Sequence, residues 1–334
     1  MDVRPITMDE WRAALPDTGT EPFHTPEALG VLDDHADADL ELYAGFNGDR
    51  AVALLPVFVS EPAVGRAVTS PPPGFGVPRL GPVLNPASPK RRKREKRNAE
   101  FTEGVLDALG VDRSGTLFRM VTATGYPDPR PYTWAGLDTA PAFTYQLDTA
   151  DRSTDEVRAG FSKSLRREIG DAEELDIAVT VEGVEAARAV YDATAERYAE
   201  QDREFALDWP YVRDLVEALG ERARVYVVRD GDGEFLAGVT VLYSDELAYF
   251  WQGGVRTVYE GVSVNSLLHW RIVADLVAEP PLDTLRGYDL MGANTERLCR
   301  YKSKFGASLV PYYRVESAGR SMDVAKRVYN LVGR

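Results

Sequence analysis

Within residues 285–313, LRGYDLMGANTERLCRYKSKFGASLVPYY, three reactive side chains stand close in sequence: the Asp289 carboxylate, the Tyr301 phenol and the Lys302 ammonium. The apolar stretch 285–291 reads as a short strand with Asp289 near its end. Asn294 suits a helix cap, Glu296 falls in the positive first turn, and Arg300, Lys302 and Lys304 crowd the negative last turn before Gly306 ends the helix. Leu298, Tyr301 and Phe305 recur at i, i+3 and i+7 and so share one face. Lys302 lies beside that apolar stripe, four residues after Leu298, and must either reach out to water or meet an anion. Tyr301 is either a core aromatic or a proton donor, and Asp289 either a general base or the partner of Lys302.

The elements that would position these groups follow from periodicity and turn chemistry. A strand at 3–6, a helix at 8–15 and a helix after Thr25-Pro26 lead into two apolar runs joined by Asn47-Gly48, the signature of a hairpin. A strand at 66–70 precedes the Pro- and Gly-rich segment 71–86, which is too long for a turn and is read as functional or mobile. Phe101, Val105 and Leu109 mark an amphipathic helix stopped by Gly110, and strands follow at 115–121 and 142–148. The start of that helix, Lys90–Arg97, holds seven cations and one glutamate. Cations are unfavourable there, so the run is either a solvated helix start or a dock for phosphate, nucleic acid or anionic lipid.

Residues 151–175 read as one charged helix, with Phe161, Leu165 and Ile169 inward and Lys163, Arg166 and Arg167 beside them. Beyond this joint come a strand (177–181), two helices (184–201 and 208–220) and three antiparallel strands (223–229, 235–243, 247–252). A Gly253-Gly254 kink, a long helix from Ser263 to 277 and the segment 285–313 complete the order. The first half repeats this sequence of elements in weaker form, which implies a duplicated architecture. The expected domains are 1–150 and 151–316, with a terminal helix at 317–334 packing back on the first.

The chain has 334 residues and a formal net charge of −14, with seven lysines against thirty-two arginines. That balance fits a salt-adapted acidic surface, and it does not exclude an anionic partner. Cys299 is the single cysteine, and His24, His35 and His269 lack metal-ligand spacing, so neither a disulfide nor a thiolate metal site is expected. MDVRPITMDEW has no signal-peptide pattern, and the longest apolar run, 51–59, is too short to span a bilayer. A soluble cytoplasmic protein with no tightly bound cofactor is the expectation. Nothing in the sequence sets an oligomeric state.

The element order resembles the GNAT acyltransferase fold, and the paired version with a basic joint helix resembles the FemAB-like family of acyl and aminoacyl transferases. The resemblance rests on GFGVPRLGP (74–82), FSKSLRREI (161–169), YDLMGAN (288–294) and YKSKFG (301–306), and covers roughly residues 38–314. It implies tandem α/β (α+β) domains, each a mixed, mostly antiparallel twisted sheet flanked by helices. It also implies that Lys302 contacts the reacting ester or a phosphate, with Tyr301 standing where the family usually has phenylalanine. Lys163, Arg166 and Arg167 become the cations of the joint.

On a GNAT scaffold two central strands splay, here between 248–253 and 285–291. Gly253 and Gly254 then allow close backbone approach, and the helix start at Ser263 holds an anion. Tyr249 and Trp251 present aromatics to a core or a channel. RTVYEGVSVNS does not fit the Q/R-x-x-G-x-G/A pattern of acetyl-CoA enzymes, and no helical-hairpin insertion for holding tRNA is visible. The expectation is therefore an N-acyltransferase acting on a small anionic substrate held between two halves, with an acyl donor that is either aminoacyl-tRNA or acyl-CoA. Alternatives are an acyl-CoA enzyme with a degenerate phosphate loop and a non-catalytic module docking on membrane or nucleic acid through Lys90–Arg97.

Overall fold

The computed structural model describes residues 1–62, 65–85, 88–111 and 115–318. The chain divides into two units, Met1–Ala142 with the chain from Pro311 onward, and Phe143–Val310. In the first, β1 (Asp2–Pro5) leads to α1 (Met8–Ala14), whose Thr7 cap and Glu10 form a reciprocal capping box. Thr25 caps α2 (Pro26–His35). Gly48, at φ 64°, then closes the hairpin of β2 (Asp39–Asn47) and β3 (Arg50–Ser60).

After β4 (Arg66–Ser70), the short β5 (Val83–Leu84) returns against β3. α3 (Arg91–Leu109) ends at Gly110 in the left-handed conformation. Its Phe101, Val105 and Leu109 are fully buried against Val57, Val68, Phe118 and Met120. Each such side chain contributes about 2 kcal/mol. β6 (Thr116–Val121) pairs parallel with β4, and α4 (Arg130–Trp134) is a short helix that periodicity does not announce.

The part of the Pro- and Gly-rich segment around Val77, Arg79, Leu80 and Val83 is packed. Arg79 within it makes a two-pronged ion pair with Glu21, at 3.0 and 3.3 Å, and both side chains are almost wholly buried. Gly81 N–H donates to the Ser70 hydroxyl, and Leu80 N–H donates to the Val121 carbonyl. His24 accepts the Glu21 N–H on Nδ1, so its Nε2–H donates to the Gly81 carbonyl at 3.2 Å. Burial holds this imidazole neutral, with its pKa pushed down to about 4.

The second unit begins with part of β7 (Asp138–Asp148) and continues through α5 (Thr154–Ala159) and α6 (Lys163–Glu173). The single helix expected over 151–175 is thus broken. Ser162 starts a new helix by accepting the Leu165 N–H on its hydroxyl, while its own N–H goes to the Lys304 carbonyl. β8 (Ile177–Glu182), α7 (Val184–Ala199), α8 (Trp209–Leu219), β9 (Ala223–Asp230), β10 (Phe235–Tyr243) and β11 (Leu247–Gly253) follow. Then come a small ladder of β12 (Val258–Tyr259) with β13 (Val262–Ser263), the helix α9 (Asn265–Ala278), β14 (Gly287–Asp289) and α10 (Glu296–Lys302).

β8, β9, β10 and β11 are antiparallel neighbours, β14 joins β11 in parallel, and β7 is antiparallel to β14. Tyr226 and Val228 face α6 and α9, whereas Val225 and Val227 face α7 and α8, the alternation of a sheet covered on both sides. The last strand, β15 (Ser308–Glu316), pairs antiparallel with β6 through Arg314, Val315 and Glu316. Each unit therefore has an antiparallel run, one parallel neighbour and a final antiparallel strand, in agreement with the expected fold class. The final strands are exchanged in sequence: β7 follows β6 yet completes the second unit, and β15 follows β14 yet completes the first. The helix expected at 317–334 lies almost wholly outside the described residues.

Candidate active site

The parallel pairing of β11 with β14 lasts three residues and stops at Tyr249 and Asp289. Beyond it β11 runs on to Gly253 beside β10, while the other chain turns away through Met291 and Gly292, both at positive φ (56° and 55°). This fork is where the candidate residues gather. Asp289, fully buried, accepts from the Thr144 hydroxyl at 2.5 Å, the Gln146 amide at 3.1 Å and the Met291 N–H at 2.8 Å. Those bonds fix it as the anchor of the turn that follows β14.

That turn presents carbonyls to Lys302. The ammonium, on a side chain only 5 % exposed, donates to the Met291 and Gly292 oxygens and sits 5.6 Å from the centre of the Phe250 ring. Desolvation brings its pKa down to about 8, with the Asp289 carboxylate pulling the other way. An ammonium has three donors, and two are taken. The helix reaches this depth because Thr295 caps it, accepting the Leu298 N–H, and because Gly306 stops it at φ 67°. A Cβ on Gly306 would stand 2.5 Å from the Gly160 carbonyl. Asn294, the expected cap, instead holds the Phe143 backbone with both ends of its amide.

The Tyr301 ring meets His269 at 6.1 Å and Phe305 at 5.5 Å, and His269 in turn borders the Phe250 ring under Lys302. The Tyr301 hydroxyl is buried beside Ser266, and desolvation raises its pKa against that contact. His269, fully buried, bonds the Tyr288 hydroxyl through Nδ1 at 2.9 Å and lies edge-on to Phe250. Burial, then the nearby Lys302 charge, drives its pKa down to about 3. Glu168 of α6 accepts from Ser266 at 2.9 Å and from Lys304 at 2.8 Å.

The remaining sequence candidates separate. Lys163, Arg166 and Arg167 are exposed on α6, with Arg167 paired to Asp171 at 3.5 Å. Tyr249 and Trp251 lie on the α8 side of β11, where the Trp251 ring meets Tyr211, so it is Phe250 that faces Lys302. Gly253, at φ 101°, stands against the Gly238 carbonyl, and Gly254 N–H donates to that same oxygen. Ser263 does not start the long helix: it belongs to β13, and α9 begins at Asn265. The reason is the Asn265 amide, which accepts the Thr257 N–H and donates to the Val255 carbonyl, tying the loop down.

Phe250, His269 and Glu168 were not among the sequence candidates. Glu168 alone left a signal, since its place three residues after Leu165 puts it on the flank of the inward face.

Residues 159–303 match the family profile described as "Acetyltransferase (GNAT) domain". That stretch is similar to a GNAT acyltransferase domain. Acyl transfer is the reaction class of that domain, and its fork and flanking helices are the elements just described. No curated protein sequence is significantly similar to the chain. Among solved structures, FemX superposes with a TM-score of 0.71 at 10% identity, covering all of both chains. The C-terminal domain of a putative lysylphosphatidylglycerol synthetase from Agrobacterium fabrum gives a TM-score of 0.59 at 12% identity, covering 96% of this chain and 94% of that one. A tandem GNAT protein from the clavulanic acid biosynthesis pathway gives a TM-score of 0.51 at 15% identity, covering 96% and 99%. The GNAT domain is therefore set in the FemAB-like fold expected from the sequence. No helix among the described residues is long and apolar enough to cross a membrane.

Proposed function

We propose that the GNAT domain transfers an acyl or aminoacyl group to an amine carried on a small anionic substrate, with Lys302 as the charge that stabilises the oxyanion. The observation that carries this reading is a buried ammonium at an open strand fork with one donor left over. Attack of the amine on the acyl carbonyl places negative charge on its oxygen, and a desolvated ammonium stabilises that charge far better than water does. The neighbouring Tyr301 hydroxyl, buried beside Ser266, supplies the proton to the leaving group and regains one from the attacking amine, which must lose it. Asp289 positions the Met291–Gly292 turn rather than acting as base. Lys163 and Arg166, exposed on α6, draw in the anion, while Tyr249 and Trp251 line the opposite side of β11.

The donor is an activated acyl ester, either aminoacyl-tRNA or acyl-CoA. Against a pyrophosphate arm at the start of α9 stands the Thr257 N–H, which the Asn265 side chain already occupies. In a transfer assay with a substrate that the wild type turns over, Lys302→Ala should lower kcat about a thousandfold with circular dichroism unchanged. The wild-type rate should fall above about pH 8 as the ammonium deprotonates. Lys302→Arg should move that limb to higher pH. Wild-type kcat in the alanine variant would remove Lys302 from the chemistry.

A further inference from the structure

The start of α3 and the segment 125–130 line a cavity of about 720 Å³ that belongs wholly to the first unit. Arg91, Arg94, Arg97 and Arg130 contribute four guanidinium groups to it, against the carboxylates of Glu95 and Asp128. Arg91 and Arg130 are spent on those carboxylates: both bond Glu95, at 3.0 and 2.9 Å, and Arg130 also bonds Asp128 at 2.7 Å. Arg94 and Arg97 have no carboxylate partner among the described residues, and Arg97 Nη1 is buried with no hydrogen bond at all. A buried, unpaired guanidinium nitrogen is costly unless an acceptor arrives. The first turn of α3 adds to the demand, having no acidic residue and no side-chain cap at Lys90.

The other wall is different in kind. Pro82, Leu84, Pro127 and the Tyr126 ring give it an apolar surface, and the Tyr126 hydroxyl is taken up by a bond to Asn98 at 2.7 Å. A cavity of this size, cationic on one side and apolar on the other, suits a small molecule rather than a polymer. Arg92, Lys93 and Lys96, which a polyanion would use equally, do not line it.

We propose that this cavity binds an organic phosphate. Its phosphate sits on Arg94 and Arg97 at the start of α3, and its carbon body lies on Pro82, Leu84 and Tyr126. Two guanidiniums without carboxylate partners match a doubly charged tetrahedral anion in charge and in donor type. The site is independent of the acyl-transfer fork.

Calorimetric titration of the full chain with phenyl phosphate tests this directly. Saturable binding is expected, tighter than that of inorganic phosphate because the ring gains the apolar wall. Arg97→Gln and Arg94→Gln should each weaken it by about tenfold or more. Arg92→Gln, one residue along the same helix but outside the cavity, should leave it unchanged. No saturable binding at millimolar phenyl phosphate would overturn the proposal. So would equal weakening by Arg92→Gln, or association with RNA or anionic vesicles that all three variants reduce alike, since each means diffuse surface charge. Unchanged circular dichroism in the glutamine variants keeps a null result interpretable.

Discussion

The two units repeat one strand order but treat its central fork differently. In the second, β11 and β14 part after three parallel pairs, and the space beyond holds a buried lysine among aromatic rings. In the first, β4 and β6 stay paired for five residues, and the chain then fills the opening with its own Leu80, which bridges to Thr122. The plug is held by the buried Arg79–Glu21 pair and by His24. A fork whose strands part is where the proposed chemistry is set. A fork packed with Pro- and Gly-rich chain is filled by its own residues, and the proposed phosphate site lies instead at the charged start of α3.

The contrast can be broken from either side. The largest effect is expected at the plug: Arg79→Met leaves Glu21 buried without its counter-charge and should cost about 3–5 kcal/mol, read as a lower denaturant midpoint. The second unit has no equivalent pair at its fork, so a loss below about 1 kcal/mol would mean that the plug is not what secures the first. Next comes Tyr301→Phe, which keeps the ring contacts and should lower kcat about a hundredfold, some 2.7 kcal/mol, with little change in KM. An unchanged kcat would make Tyr301 a packing residue.

Smaller, and common to both units, is sensitivity to acid. The unfolded chain protonates His24 and His269 near pH 6.5, whereas the folded chain does so only near 4 and 3. Acid therefore draws the equilibrium toward unfolding, by about 2 kcal/mol for each histidine at pH 5. Denaturation midpoints measured from pH 7 to pH 5 should drop, and His24→Gln should flatten the slope. A midpoint independent of pH over that range would show that neither imidazole is held neutral.

Local signals carried much of this architecture. Asn47-Gly48, the Thr25 cap, the Phe101–Val105–Leu109 stripe and the Gly110 and Gly306 stops each act over a few residues, and each element stands where its signal put it. The misplacements came where two local choices competed. Thr295 rather than Asn294 caps α10, because the Asn294 amide is taken by Phe143, 151 positions away. Asn265 overrides Ser263 as the start of α9 by tying back its own loop. Of the candidate site, the nearness of Lys302, Tyr301 and Asp289 was legible because they stand close in sequence and in an apolar pattern. Glu168 gains its meaning from Ser266 and Lys304, 98 and 136 positions distant, and no periodicity reports such partners.

The exchange of final strands bears on how the polypeptide is made. Phe143–Val310 is one unbroken stretch, so every residue of that unit is polymerised before Arg314, Val315 and Glu316 are added. The half begun first is thus finished last, and until then the rim of β6, with Phe118 behind it, waits for its neighbour. A released chain truncated after position 310 should present that rim to chaperones even though it holds every residue of the unit bearing the lysine.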